Sequence, residues 1–499
     1  MSLDLSVSNA LSGLKVVQRN IETVSQNITN AQTPGYTRKT LEQSAVIIGG
    51  TGAGVQAGNL QRVVDASLQA DLRRRQGALS GLEVKEMYLQ RVEELQGRPE
   101  DETSLASTFG QFMSSFEKLS TMPESASYQL SVIGDATNLT EQLHSMSSQL
   151  LGLRNQTQSD IASTVEVVNG HLRRLADLNT QIVKEFQSGN SIAHLEDQRD
   201  QSMLELSKYI DIQAVRSNDN RMIITTRSGE MLVDRTAQQL EFSATRLDYN
   251  SYYSANPPGN LPGVMIKGDP SRDITGSLGG GELGAMIELR DKTFPLLQGQ
   301  LDEFAHKMAT RFEAAGMTLF TDSAGNVPND VPGKYVGFAA DIRVNPATSN
   351  PDFVRYGDAG KPAASDPAVS NQRILNVLNY AFGEQANSGN APHAPFRSSY
   401  LGANPQANLT SDLPQNASLA TFVQMLVARQ GQMRADVTAD RMQTEELKNA
   451  VEARSNDISG VNLDTEMAHL TILQRSYSAS AQVLRTAQEM VDTLFAAKR

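Results

Sequence analysis

The chain contains neither cysteine nor tryptophan. Without cysteine there is no disulfide, no thiolate metal site and no cysteine nucleophile. The compartment stays open, because a secreted protein can do without disulfides. Basic residues are in deficit: 44 Lys and Arg stand against 56 Asp and Glu, for a formal net charge of −12. That balance argues against a general nucleic-acid binder, which needs a basic face. The one basic run, Arg73-Arg74-Arg75, lies in a helical pattern close to Asp71 and reads as a solvated helix face. No stretch reaches the roughly 18 apolar residues that a membrane span requires, so no membrane insertion is expected. A signal-peptide layout is missing too, since the first charge is Asp4 and Ser and Asn interrupt the first apolar residues. The chain is therefore expected to stay in the cytoplasm or to leave by a route without a cleaved signal.

Signals for catalysis are equally sparse. His144, His171, His194, His306, His393 and His469 show neither the i, i+4 spacing nor the HExxH pattern that sets two ligands on one helix face. There is no G-x-S-x-G elbow and no phosphate-binding GxxxxGK[ST] loop, and the S-x-x-K match at Ser115–Lys118 stands alone in a helical pattern. Gly49-Gly50-Thr51-Gly52-Ala53-Gly54 follows the strand-like Val46-Ile47-Ile48 and precedes a helix expected from about Leu60. This looks like the start of a dinucleotide-binding unit. Such a unit needs a second parallel strand about 20–30 residues on, and a helical pattern runs there instead. The glycines read as a flexible linker. No catalytic residue, cofactor or metal is expected, and the chain is not expected to be an enzyme.

What is present is helical periodicity over 499 residues, enough for two to four domains. At the amino end Leu3, Val7, Ala10, Leu14, Val17, Ile21, Val24, Ile28 and Ala31 alternate steps of four and three. This is a heptad pattern with a narrow seam, which predicts a helix packed along another. It stops at Thr33-Pro34-Gly35-Tyr36, where proline disfavours helix before it and Pro-Gly suits a tight turn. At the carboxyl end Leu463, Leu470, Tyr477, Leu484 and Val491 are seven apart, with Met467, Leu473, Ala481, Ala487 and Leu494 between them. The two seams suit each other as a helix pair. Whether they meet within one chain or between chains is open. They could be ordinary core helices of one bundle. Their position at both ends, with Ser-, Asn- and Gln-rich outer faces, favours assembly elements.

Between the ends, helices are expected over 59–97, 103–121, 126–160, 161–187, 194–208, 282–315 and 417–454. Alternation after residue 209 predicts strands and turns, and 318–415, rich in Pro, Gly, Asn and Asp, predicts a β or irregular insertion. The expected fold class is α+β and multidomain: long N- and C-terminal helices pairing as a coiled-coil-like layer, an inner helical bundle, and one or more β-rich outer insertion domains. The expected domains are 1–35 with 460–499 (terminal helical assembly domain), 36–208 with 282–317 and 416–459 (inner bundle), and 209–281 with 318–415 (outer, β-rich).

The stretch Ser25-Gln26-Asn27-Ile28-Thr29-Asn30-Ala31-Gln32-Thr33-Pro34-Gly35-Tyr36 resembles the N-terminal signature of flagellar rod, hook and hook-associated proteins. Gly460-Val461-Asn462-Leu463-Asp464-Thr465-Glu466-Met467 is similar to the C-terminal signature of that axial family, and Leu470, Gln474, Tyr477, Leu494 and their neighbours continue it. Gln26, Thr29 and Thr465 are mild departures. Gln61-Arg62-Val63-Val64-Asp65 and Gly284–Asp291 resemble the hook-associated protein 1 (FlgK) family within it.

The resemblance implies a structural subunit of the bacterial flagellum at the hook–filament junction, extracellular and exported by the flagellar type III apparatus without cleavage. The implied partners are further copies of itself in a ring, the hook protein, a second junction protein (FlgL-like) and an export chaperone (FlgN-like). The expected assembly contacts are Leu3, Val7, Leu14, Val17, Ile21, Val24 and Ile28, with Leu463, Met467, Leu470, Tyr477, Leu484, Val491 and Leu494. A hook or distal-rod subunit of the same family is the alternative reading, and a cytoplasmic coiled-coil adaptor a more remote one.

Overall fold

A computed structural model describes residues 2–48, 51–96, 104–256, 259–361, 371–404 and 407–497. Helix α1 (Ser2–Thr29) leads into strands β1 (Lys39–Ile48) and β2 (Thr51–Arg62). Four helices follow: α2 (Ala66–Gln96), α3 (Leu105–Thr121), α4 (Ala126–Gln187) and α5 (Ala193–Tyr209). Six short strands come next: β3 (Ile212–Arg216), β4 (Met222–Thr226), β5 (Met231–Val233), β6 (Leu240–Glu241), β7 (Met265–Ile266) and β8 (Asp269–Asp273). Helix α6 (Gly281–Glu288) continues through a π-helical turn at Leu289–Thr293 into α7 (Phe294–Ala314). After β9 (Phe320–Thr321) come one-turn helix α8 (Phe338–Asp341), β10 (Arg343–Val344), and the short α9 (Phe353–Tyr356) and α10 (Gln372–Asn376). The chain closes on α11 (Leu419–Ser459) and α12 (Leu463–Ala497).

Two of these elements differ from expectation. The segments 126–160 and 161–187 form one helix of 62 residues, α4, roughly 90 Å long at 1.5 Å per residue. Its apolar spacing never breaks and no proline interrupts it. The glycine-rich segment is not a linker. Gly49 and Gly50 lie outside the described residues, but Thr51 onward is strand β2, paired antiparallel to β1 with Lys39 opposite Arg62 and Ala45 opposite Val55. Helix begins at Ala66 rather than near Leu60. One of the glycines has a packing reason: at Gly54 (φ +115°) a Cβ would lie 2.3 Å from Ser12 Oγ on α1. A side chain there would push the hairpin off the helix.

The chain divides into two compact units. The first comprises Met1–Leu79, Val167–Gln239 and Gln443–Arg499. It holds α1, the β1–β2 hairpin, α5, α12 and the three-stranded antiparallel sheet β3-β4-β5. A small core of Leu178, Ile182 and Leu195 joins α4 to α5.

The second unit comprises Ser80–Glu166 and Leu240–Met442. Its core is aromatic. Phe112 lies against Phe109, Phe116, Phe312, Phe320 and Phe382 with ring centroids 5.3–6.3 Å apart, mostly edge to face. The residues 318–415 belong here, and their organisation departs from the expected grouping. Besides β9 and β10, the described residues among them form turns and short helical pieces, the longest being α10 continued by a π-helical stretch at Val377–Ala381. They send Phe320, Phe338, Ile342, Val354, Ile374, Val377, Phe382 and Phe396 into the same core as α3, α4 and α7. Pro and Gly mark where the backbone turns, whereas the aliphatic and aromatic residues between them decide where the segment packs. The strands β3–β5 lie in the first unit and β6–β8 in the second, so the strands after residue 209 have two different homes.

Candidate assembly site

The two chain ends meet in the first unit. Helix α1 packs along α12 and on its other flank against the hairpin. Val24 is buried, and Val7, Ala10, Leu14, Val17, Ile21 and Ile28 are half-buried. A second stripe faces the hairpin. There Val55 N–H donates to Ser12 Oγ (3.2 Å), and Asn9 Nδ2 donates to the Gly52 carbonyl (3.5 Å). The helix stops at a turn in which Tyr36 N–H donates to the Thr33 carbonyl (3.1 Å), with Pro34 at the second position and Gly35 at φ +77° at the third. That is type II geometry, and its third position favours glycine. A second turn separates α11 from α12: Gly460 N–H donates to the Asn456 carbonyl, and the Asn462 side chain accepts from Thr465 N–H to open α12.

On α12 the buried residues are Glu466, Leu473 and Ala487, with Leu470, Ser480, Ala481, Leu484 and Val491 half-buried. Positions 466, 473, 480 and 487 are seven apart, so this is a heptad line displaced from the one through Leu463. The line is Glu, Leu, Ser and Ala, only partly apolar, which is why apolar spacing does not single it out. Leu463 (45% exposed), Met467 (52%) and Tyr477 (40%) turn toward solvent in the isolated chain. The side chains of Leu3 and Leu494 lie outside the described residues.

A polar hub closes the end of the pair. The Asn27 amide fills all four of its hydrogen-bonding positions. Its Nδ2 donates to the Lys39 carbonyl (2.9 Å) and to Glu466 Oε2 (3.1 Å). Its Oδ1 accepts from Lys39 N–H (3.0 Å) and from the Tyr36 hydroxyl (2.9 Å). Arg38 Nε donates to the other oxygen of Glu466 at 2.7 Å, and Arg38 N–H donates to the Ser459 carbonyl at 2.8 Å. Glu466 joins the last turns of α1 to the first turn of α12, so the paired helices run antiparallel within one chain.

Behind the hub, Lys39 Nζ sits 3.4 Å from the Tyr36 ring centroid and 2.7 Å from Asp197 Oδ2 on α5. Arg62 at the end of β2 reaches Glu196 (3.0 Å), Asp197 (3.1 Å) and Asp200 (2.8 Å), all on α5. Burial, with Asp197 and Glu466 nearby, pushes the Tyr36 hydroxyl up to about 12, so it stays protonated as the donor Asn27 needs. The arrangement offers ties rather than chemistry: carboxylates bound to cations, an amide with no free position, and, among the described residues, no cluster of metal-ligating side chains. No described helix is long and apolar enough to cross a membrane.

Residues 89–326 match the family described as flagellar hook-associated protein FlgK helical domain, and residues 455–496 match the flagellar basal body rod FlgEFG protein C-terminal family. Flagellar hook-associated protein 1 of Escherichia coli K12 is 25% identical over 98% of both chains. Over nearly its whole length the chain is similar to flagellar hook-associated protein 1. The protein of that name from Salmonella typhimurium is 24% identical over 98% of this chain and 99% of its own, and that from Bacillus subtilis 22% over 98% and 97%. A solved structure of the flagellar hook junction protein FlgK from Burkholderia pseudomallei is 22% identical, covering 52% of this chain and 46% of its own with a TM-score of 0.42.

In this chain the two signature stretches are in contact: Asn27 lies in the first, Glu466 in the second, and Tyr36 and Arg38 at the turn between helix and hairpin. Apolar spacing alone misses these polar residues. For Asn27, Tyr36 and Glu466 the signal was their place inside the two signatures.

Proposed function

We propose that this chain is a non-enzymatic structural subunit of the bacterial flagellum that forms the hook–filament junction. The observation that carries the reading is the meeting of the N- and C-terminal signatures in one buried hub, in a chain similar to hook-associated protein 1 over 98% of its length. The α1–α12 pair is the assembly element. Each large apolar side chain it buries contributes roughly 1.5–3 kcal/mol before ordering entropy is deducted. The half-buried seam leaves part of that gain to neighbouring subunits. Leu463, Met467 and Tyr477 are the seam-region residues left open to them, and Leu3, Val7, Leu14, Val17, Ile21, Val24, Ile28, Leu470, Leu484, Val491 and Leu494 complete the assembly set.

The partners are copies of the chain in a ring, the hook protein on one side and a second junction protein (FlgL-like) on the other. A FlgN-like chaperone holds the chain before type III export, which needs no cleaved signal. Deleting the gene in its source organism tests the reading. Hooks without filaments, with flagellin shed to the medium, are expected. Loss of hooks as well would move the chain to a rod or hook role. Normal filaments in a strain with a single gene copy would overturn the flagellar assignment.

A further inference from the structure

An apolar heptad seam holds two helices together without saying how far one slides along the other. The α1 strip offers Val7, Ala10, Leu14, Val17, Ile21, Val24 and Ile28. The α12 strip offers Leu470, Leu473, Ala481, Leu484, Ala487 and Val491, with the small Ser480 among them. A slide of seven residues still lays the α1 aliphatics against apolar or small side chains. Such a slide is not neutral at the hub. Lys39 fixes the Asn27 amide through both of its backbone groups, so the amide cannot flip, and its remaining Nδ2 hydrogen points at Glu466. Displacing α12 by one heptad would bring Leu473 to that place. The Asn27 donor and the Arg38 guanidinium would lose their acceptor, and the Glu466 carboxylate, 1% exposed here, would leave both of its partners. Leaving a buried donor or charge unpaired is the strongest penalty available to a helix pair, and single buried polar residues are known to set helix register in this way.

We infer that Glu466, held by Asn27 and Arg38, is the positioning residue that sets the register of the terminal helix pair, and that the apolar seam alone does not. The inference rests on the reading of this pair as the assembly element. Its test does not, because it is made on the isolated full-length chain. The absence of cysteine makes labelling clean: Lys15→Cys and Arg485→Cys, both at exposed positions, carry the only two thiols for spin labels. Distances are then measured by pulsed electron resonance.

The otherwise native background is expected to give one distance population. Glu466→Leu, which keeps the bulk and deletes the acceptors, is expected to add a second population displaced by up to about 10 Å, seven residues at 1.5 Å each. Glu466→Gln, which keeps one acceptor oxygen, is expected to restore the single population. An unchanged single population in Glu466→Leu overturns the inference. So does a native background without a defined distance, or a Glu466→Leu chain whose distances merely spread, since the hub would then hold the helices rather than register them. Normal filaments in the gene deletion would overturn the junction role and leave this result standing.

Discussion

The aromatic core of the second unit and the terminal helix pair of the first solve the same problem in opposite ways. Around Phe112 the rings are fully buried and touch one another from several elements, so stability is dense and needs nothing from outside. Along α1 and α12 most seam side chains are half-buried, the apolar strip is narrow, and specificity is concentrated in one polar hub at the end. A body that must fold before assembly calls for the first solution. An element that must find neighbours calls for the second, because a fully buried seam would have nothing left to offer them.

Substitutions can break or sharpen this contrast. The largest effect expected is on incorporation: Leu484→Asp places a charge in the half-buried seam of α12 and should abolish assembly into flagella while leaving the main thermal transition in place, as pull-down of sheared flagella and calorimetry would show. A variant that still incorporates normally would break the comparison. Next, Phe112→Ala should cost the second unit about 3–5 kcal/mol in denaturant unfolding, the range for deleting a buried ring. A cost below about 1 kcal/mol, far under that range, would mean the core is less dense than its geometry.

A smaller effect is expected from pH. His306 is buried in α7, its Nε2 donating to the Pro328 carbonyl (2.8 Å) and its ring stacked on Tyr335, with Glu303, Asp330 and Lys307 nearby. Burial holds its pKa below the ordinary value of 6.5. The folded state therefore prefers the neutral ring, and the stability this confers is present above the unfolded pKa and lost as pH falls through it. The slope is about 1.4 kcal/mol per unit until the folded group also titrates. The neutral His306→Gln should flatten that slope as pH falls below the ordinary histidine pKa, measured as the difference between the two stability curves. The smallest effect is Arg74→Ala: its ion pair with Asp71 is exposed and within one helix, so a change under about 0.5 kcal/mol is expected in the same unfolding assay.

Much of this was legible in the amino-acid order. The four–three spacing of α1 and the Thr33–Tyr36 turn follow from local rules, which sequence states directly. The position of Glu466 does not, because a carboxylate between Thr465 and Met467 reads as surface until its partners, Asn27 and Arg38, are brought from the other end of the chain. The hairpin strand β2 hid for a related reason. Its glycines carry no alternating apolar signal, and what Gly54 accommodates is α1, which Val55 also meets through Ser12, 43 residues away. For 318–415, Pro and Gly announced turns correctly, but membership of the aromatic core is a property of long-range contacts.

The π-helical turn between α6 and α7 behaves like a reading frame. The large apolar side chains Leu283, Met286 and Leu289 are spaced by three, Phe294, Leu297, Leu301 and Phe304 by three and four, and the step from Leu289 to Phe294 is five. A regular helix would rotate the downstream side chains by about 100° for each residue gained or lost. The widened turn absorbs that rotation and keeps both halves in phase with one core. It is the form a single-residue insertion takes when a helix retains it, and it makes this stretch intolerant of any further one-residue gain or loss unless a second change restores the count.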